Sequence, residues 1–540
     1  MKRFGFILFL IFFSALSLFA QNDTIHSAVK LQIPASVADS LRRFDVSFDY
    51  SIFNRPYTDL YDFKPRESIQ LETVGPNRPP VFYAKLGAQY PLIPTAELYL
   101  QSRPKNGFGI GLFGSHNSFL GSVPDVASLD QMSVRQMQNS VGGGITYDWA
   151  TGEFMFDVKY DYNSFDYKSS DINPKGKKSD LDFTVNFNSA FTEDNSLYYD
   201  ITGGYTYTKF GNSRDSLVQM AESFIHVKGY VGASFEIHRI YVDMNIEFAT
   251  YSGLKNYSSG IVEFSPIYEY SKKFVSARLG AKFGSSFGYA RGETGLQSDL
   301  GAENSIFPDV DARFTLIDKA LWIHAVAKGG NDLNPFSKLT KDCCMLMPQS
   351  EILAGKRDVD ASLAVESVIK GRLSLNLMGG YTMYTKKLIY CPVMQDSGPK
   401  RIMAGYLNAH DISFGVEMFW KSSNFTIGGK FAYNKYIDRE TKERITQLPA
   451  VTSNAFVRYS FRERLIASLD VAYSSPVSGD TYGAYEVPAI IDANVNVNYK
   501  ISHNFSVFAK CGNILNQRNQ YVPLYVEPGR NFGGGICVNF

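Results

Sequence analysis

The feature that most constrains this chain is an apolar–polar alternation of period two that recurs along most of its length. Between Glu153 and Tyr162, residues Phe154, Phe156, Val158, Tyr160 and Tyr162 share one face, while Met155, Asp157, Lys159 and Asp161 share the other. Successive side chains of an extended strand point to opposite faces, so this pattern specifies β-structure. It returns at Leu181, Phe183, Val185 and Phe187 against Asp182, Thr184, Asn186 and Asn188. It appears again at Val242, Met244, Ile246 and Phe248 against Asp243, Asn245 and Glu247, and at Ile491, Ala493, Val495, Val497 and Tyr499 against Asp492, Asn494, Asn496 and Asn498.

A water-soluble sandwich also alternates, so the connections must separate the two architectures. Twenty-two segments of roughly ten residues can be counted between Val81 and Phe540, a length suited to tilted strands crossing a bilayer. From the second strand on, the connections alternate short and long. Arg103 to Asn106, Ala150 to Gly152, Asp318-Lys319 and Lys370-Gly371 are short; Asn117 to Asn139, Lys168 to Asp180, Phe210 to Ala221 and Gly329 to Asp360 are long. Tight periplasmic turns and long outer loops give an outer-membrane barrel this asymmetry. With no water in the hydrocarbon to satisfy backbone groups, such a sheet must close on itself. The expected fold is therefore an all-β, antiparallel transmembrane barrel of about 22 strands.

Composition agrees. Aromatic residues make up 14% of the 540 residues, with 34 Tyr and 41 Phe, and 44 Gly accompany them. Only 44% of residues are hydrophobic, and the single long apolar run is the first one, so a bundle of membrane helices is excluded. With 54 Lys+Arg against 53 Asp+Glu there is no basic footprint for nucleic acid.

That first run follows Lys2 and Arg3, extends from Phe4 to Leu18 and closes with Ser17-Leu18-Phe19-Ala20 before Gln21. It reads as a secretory signal peptide, residues 1–20, cleaved after Ala20. Residues 21–80 form a proline-containing segment on the periplasmic side or in the lumen, and 81–540 form the barrel. The five cysteines, Cys343, Cys344, Cys391, Cys511 and Cys537, are too scattered for a disulfide framework.

The chain ends Phe532-Gly-Gly-Gly-Ile536-Cys537-Val538-Asn539-Phe540, with Phe532, Ile536, Val538 and the terminal Phe540 as the apolar residues of a last strand. This is an address for outer-membrane insertion machinery. Before it stand Gly512-Asn513-Ile514-Leu515-Asn516, Tyr521, and Glu527-Pro528-Gly529-Arg530-Asn531. Together these resemble the last two strands of TonB-dependent receptors, with Asn513, Tyr521, Pro528, Gly529 and Arg530 at the matching positions and Ile514-Leu515-Asn516 where Leu-Phe-Asp is usual. The Ala-Gln ending of the leader is similar to that of many Bacteroidota exports. The resemblance implies an outer-membrane receptor barrel that takes up a ligand, with a TonB-type energiser as partner. It fails at the amino end, because sixty residues are too few for the family's plug domain. Asp23 to Val29 is a loose match to a TonB-contacting box.

Without a full plug, 22 strands enclose a wide lumen. The amino-terminal sixty residues, the long loops or a partner protein are expected to fill it. Asp157, Asp161, Asp243, Glu247, Asp492, Asn494 and Asn496 are expected to line its wetted wall. Gly109-Ile-Gly111-Leu-Phe-Gly114 is formally G-x-G-x-x-G, but no helix opens at its last glycine, and strand glycines are the better reading. Cys343, Cys344, Met345 and Met347 offer soft donors for a copper-like ion, yet no histidine shares their loop, which reads as an apolar tip or a local disulfide. The seven histidines show no ligand spacing, so neither metal nor cofactor is expected. His226, with serines nearby, is the one conceivable hydrolase base, and nothing in the pattern specifies catalysis. Tyr390, Tyr406, Tyr482, Tyr485 and Tyr525 belong to an interfacial girdle or to ligand-stacking loops. Two functions remain: passage of a ligand across the outer membrane of a Gram-negative cell, or a non-transporting barrel that anchors other envelope proteins.

Overall fold

The structure is a computed structural model. It describes residues 81–540 except 103–106, 125, 127–130, 169–174, 190–196, 213–214, 236, 254–255, 292–296, 344, 348–351, 394–400, 463, 480–484 and 524. The leader, the 21–80 segment and the Asp23 to Val29 stretch lie outside the described residues.

Strands β1 (Phe82–Tyr90), β2 (Thr95–Gln101), β3 (Phe108–Pro124), β4 (Gln131–Trp149), β5 (Gly152–Lys168) and β6 (Lys175–Ser189) come first. They are followed by β7 (Leu197–Asn212), β8 (Asp215–Phe235), β9 (His238–Gly253), β10 (Tyr257–Lys272), β11 (Val275–Arg291), β12 (Gln297–Ile317) and β13 (Leu321–Asp332). A short helix, α1 (Phe336–Asp342), precedes β14 (Gly355–Ile369), β15 (Leu373–Val393), β16 (Arg401–Lys421), β17 (Phe425–Asp438), β18 (Val451–Phe461) and β19 (Leu465–Ser474). After a separate hairpin of β20 (Val477–Gly479) and β21 (Tyr485–Val487), the sheet resumes with β22 (Ile490–Lys500), β23 (Phe505–Gly512) and β24 (Asn531–Asn539). Each barrel strand pairs antiparallel with its neighbour, and β1 pairs with β24, which closes a 22-stranded cylinder.

The closing ladder runs from Tyr83 opposite Asn539 to Tyr90 opposite Phe532. Phe540 extends it, accepting hydrogen bonds from Val81 and Phe82 N–H and donating one to the Phe82 carbonyl. Glycines make the seam possible. A Cβ on Gly535 would collide with the Leu86 carbonyl oxygen, and the ring of Phe508 fills the slot left by Gly87 and Gly535 on the inner face. Lys85 and Lys510 sit 5.6 and 5.7 Å from that ring, so cations flank the seam from within. Outside, Phe532 stacks beside Tyr90 and Phe540 beside Phe82.

Strand length departs from the expectation of roughly ten residues. Strands β18, β19, β22, β23, β24, β1 and β2 span 7–11 residues. In contrast, β3 has 17, β4 has 19 and β8 has 21. Most of the expected loops Asn117 to Asn139, Lys168 to Asp180 and Phe210 to Ala221 are continuations of the ladder, with Asn117 to Pro124 paired to Gln138 to Gln131.

The physical reason is an inversion of polarity along each tall strand. On β4 the apolar Val141 and Tyr147 face outward, 56% and 47% exposed, across the membrane height. Ten residues earlier the parity reverses: Met132 and Val134 point inward and are buried, while Gln131, Ser133 and Arg135 are exposed. Strand β10 does the same, with Val262, Phe264 and Tyr268 outward and Tyr257 and Ile261 buried inward. Where lipid gives way to water the outer face turns polar, and the inner face packs an apolar core.

The seam makes a direct prediction. Gly535→Ala forces the closing strands apart, and the folded, heat-modifiable form in membrane fractions drops about ten-fold or more. Gly203→Ala, where a Cβ would meet nothing within 4 Å, leaves it unchanged.

Candidate functional site

The inner wall divides into a charged zone and an apolar zone. The charged zone lies toward the tight-turn end. Arg278 reaches from β11 to Asp309 at 3.0 Å and to Asp243 at 3.7 Å, and Ser265 Oγ donates to the same Asp309 oxygen at 3.0 Å. One strand pair further, His324 sits 2.7 Å from Asp311 and 3.3 Å from Glu366, with Lys328 on Asp311 and Arg313 on Glu366 at 3.2 and 2.8 Å. Beside the seam, Lys85 on β1 pairs with Glu97 on β2 at 2.7 Å.

Of the expected wall residues, Asp161, Asp243 and Glu247 take part in this pairing. Asp161 accepts from Ser140 and pairs with Lys159 at 2.6 Å; Glu247 pairs with Lys228; Asp243 belongs to the Arg278 group. Asp157 is half-buried on the same face of β5 as Asp161, and Asn496 is 1% exposed. Asp492 and Asn494 hold a loop: Asp492 accepts from Tyr521 Oη at 3.3 Å and Asn494 Oδ1 accepts the Asn513 N–H at 3.0 Å. Burial and the Asp492 carboxylate push the Tyr521 phenol far above its usual range, so it stays a donor. Burial beside Cys391 likewise pushes Tyr485, on the small hairpin, up to about 12.

The motif that resembles the receptor family organises the turn before the last strand. Asn513, at φ 44°, donates to the carbonyls of Gln517 and Pro528 and accepts the Gln517 N–H. Arg530 Nε donates to the Ile514 carbonyl at 2.9 Å, and Asn516 Oδ1 accepts the Arg530 N–H. A Cβ on Gly529 would press against Asn516. The 513–530 segment thus bends back on itself and delivers Val522 and Tyr525, both buried, into the apolar zone. Phe532, Ile536 and Val538 follow on the outer face of β24.

At the loop end, inward side chains of β3 to β10, among them Phe119, Val123, Phe165, Tyr167, Phe210 and Tyr251, form a core with Leu333, Phe336, Leu339, Cys343, Met345, Leu346 and Ile352. These last belong to the connection between β13 and β14, which folds into the lumen. Glu222 on β8, fully buried, accepts the Phe336 and Ser337 N–H groups at the start of α1. Lys178 on β6 donates to the Ser337 carbonyl at 2.8 Å and pairs with Asp180 at 2.8 Å, which in turn accepts from Thr208 at 2.7 Å. At its exit, Ile352 N–H donates to Tyr257 Oη and Leu353 N–H to Tyr406 Oη, while Leu346 bridges to Ile402 on β16.

The soft donors Cys343 and Met345 are therefore core residues. Among the described residues, no group of three or more His, Cys, Asp and Glu side chains could hold a metal. Cys344 lies outside the described residues. Tyr390, Tyr406 and Tyr525 serve this core instead of a girdle, and Tyr482 lies outside the described residues. The outer girdle is built by strand residues, including two Tyr–His pairs, Tyr268 with His238 and Tyr381 with His410, each at 2.7 Å. Gly109, Gly111 and Gly114 lie within β3. His226 faces the lumen and stacks on Phe224. Sequence reasoning missed Glu222, Lys178 and the helix they hold; the phase reversal at Met132 and Val134 was the available signal.

No protein-family model matches the chain, and no curated protein matches it. Solved structures do. The FrpB iron transporter from Neisseria meningitidis, F5-1 variant in apoprotein form, superimposes with a TM-score of 0.67 at 8% identity, covering 85% of this chain and 81% of that one. The siderophore receptor PirA from Acinetobacter baumannii gives 0.63 at 12% identity, with 85% and 80% covered. The copper transporter OprC gives 0.63 at 10% identity, also with 85% and 80% covered.

Asn513→Ala removes three hydrogen bonds and places a Cβ residue without local compensation at positive φ. A loss of about 2–4 kcal/mol follows, read as a lower melting temperature of the folded barrel and faster proteolysis within 517–530. At these identities the likeness is one of fold: the chain builds a closed 22-stranded barrel like those of the iron transporter, the siderophore receptor and the copper transporter.

Proposed function

We propose that this chain is an outer-membrane barrel through which a polar ligand passes into the periplasm. Its loop end faces the cell exterior and its tight-turn end the periplasm. The observation that carries this reading is the ion-paired inner wall. A barrel that served only as an anchor needs an apolar outside, whereas paired charges along the lumen offer a polar solute exchangeable partners over much of the crossing. The fold likeness to an iron transporter, a siderophore receptor and a copper transporter supports the same class. The ligand is not named by those proteins. On this reading residues 1–20 are a cleaved leader and the chain is of the Bacteroidota type. Phe532, Ile536, Val538 and Phe540 guide insertion of the closing strand by the assembly machinery.

A second reading, an accessory barrel that anchors envelope partners, is favoured by one observation: the loop end is packed from within by the chain's own segments.

Affinity purification of the tagged chain from native membranes, paired with solute uptake in a deletion strain, separates the two. The transport reading expects loss of growth on, or uptake of, at least one solute on deletion and no stoichiometric partner. A stoichiometric envelope partner without any solute phenotype overturns it. Phe540→Ala, which loses the ring contact to Phe82 and the terminal aromatic side chain, lowers surface abundance; unchanged abundance contradicts the assembly role.

A further inference from the structure

We propose that the connection between β13 and β14, in its described residues 333–343, 345–347 and 352–354, is the barrel's own stopper, a closure built from an outer loop, and that Glu222 and Lys178 are the latch that holds it. The proposal holds for either function above.

Geometry carries it. The segment leaves β13 and returns to β14, yet its fixed points lie on β6, β8, β10 and β16, so it spans the interior instead of rising above the rim. Both ends are tied by main-chain bonds to lumen-facing side chains. Glu222 takes the first two N–H groups of α1, and Tyr257 and Tyr406 take those of Ile352 and Leu353. The helix has seven residues, too short to persist alone in water, so its folding depends on the wall that receives it.

The packing also links the two inward segments to each other. Phe336 contacts Phe210 edge-on at 5.6 Å, Phe210 lies 6.4 Å from Phe165, Phe165 lies 6.5 Å from Tyr167, and Tyr167 meets Tyr525 at 5.4 Å. This aromatic chain joins the 333–354 segment to the 513–530 segment over β5 and β7. Leu339, Leu346 and Ile352 are 0–2% exposed, as residues inside a globular core are.

The latch is polar because it is local. Glu222 is fully buried yet satisfied by two backbone donors, and Lys178 is held by Asp180 and the Ser337 carbonyl. Loss of either partner leaves an unpaired charge or unpaired N–H groups in the core, which favours release of α1.

The test is planar-bilayer conductance of the full chain in 1 M KCl, with heat-modifiable migration as the check on assembly. Replacement of residues 334–350 by a short Gly-Ser linker should raise unit conductance about ten-fold or more over the parent and make producing cells sensitive to vancomycin. An assembled linker variant that conducts no more than the parent overturns the proposal. The double variant Glu222→Gln with Lys178→Met, which keeps side-chain volume, gives an independent reading. It should show flickering openings absent from the parent and faster hydrogen exchange at Leu339 to Cys343. If it assembles and shows neither, the latch is refuted, whether or not the linker variant folds.

Discussion

Closure of the sheet on itself is the constraint from which the rest of this structure follows. Hydrocarbon offers no partner to a backbone N–H or C=O, so a sheet that crosses it cannot keep an edge. Here the two would-be edges, β1 and β24, lie at opposite ends of the described chain and must meet without obstruction. Gly533, Gly534 and Gly535 opposite Gln89, Ala88 and Gly87 allow that approach, and Phe508 restores on the inner face the bulk that the glycines give up. The seam strands are also among the shortest in the wall. Their 7–9 residues in β1, β2, β23 and β24 barely cross the hydrocarbon, so the cylinder is low on one side and tall on the other.

The tall side serves a different solvent. Beyond the lipid boundary the same strand must present polar groups to water and finds apolar partners within. Each tall strand therefore reverses its binary pattern, and the upper lumen becomes a protein core. Into that core fold the 333–354 and 513–530 segments, one latched by Glu222 and Lys178, the other shaped by Asn513 and Arg530. The wall below remains charged, and its carboxylates are paired across strands. One barrel thus holds two interiors, a packed one at the mouth and a polar one beneath it, and any solute that crosses must pass both.

Much of this was legible in the residues. The period-two runs at 153–162, 181–188, 242–248 and 491–499 lie in strands, and the barrel closes with the expected strand number because side-chain period and turn residues are local properties. The stretch from Asn117 to Asn139 misled for a physical reason. Its alternation is intact, but Met132 and Val134 occupy the parity that Ser140 and Gly142 hold deeper in the same strand, and a reading fixed to one phase takes reversal for absence. The latch lay beyond reach for another reason. Glu222 binds backbone groups 114 and 115 residues away, and no side-chain pattern records a partner that is main chain. Asp243 and Glu247 could be assigned to a face by spacing, whereas Arg278 and Lys228 as their neighbours depend on register between strands.

The measurement closest to the central claim is a nitroxide scan along β4 in reconstituted membranes, reading accessibility to oxygen and to a water-soluble nickel chelate from residue 131 to residue 147. The account predicts that odd positions near Val141, Ile145 and Tyr147 favour oxygen, that odd positions at Gln131, Ser133 and Arg135 favour the nickel chelate, and that Met132 and Val134 are reached by neither. Oxygen preference at every odd position from end to end, or nickel access at positions 132 and 134, would contradict it.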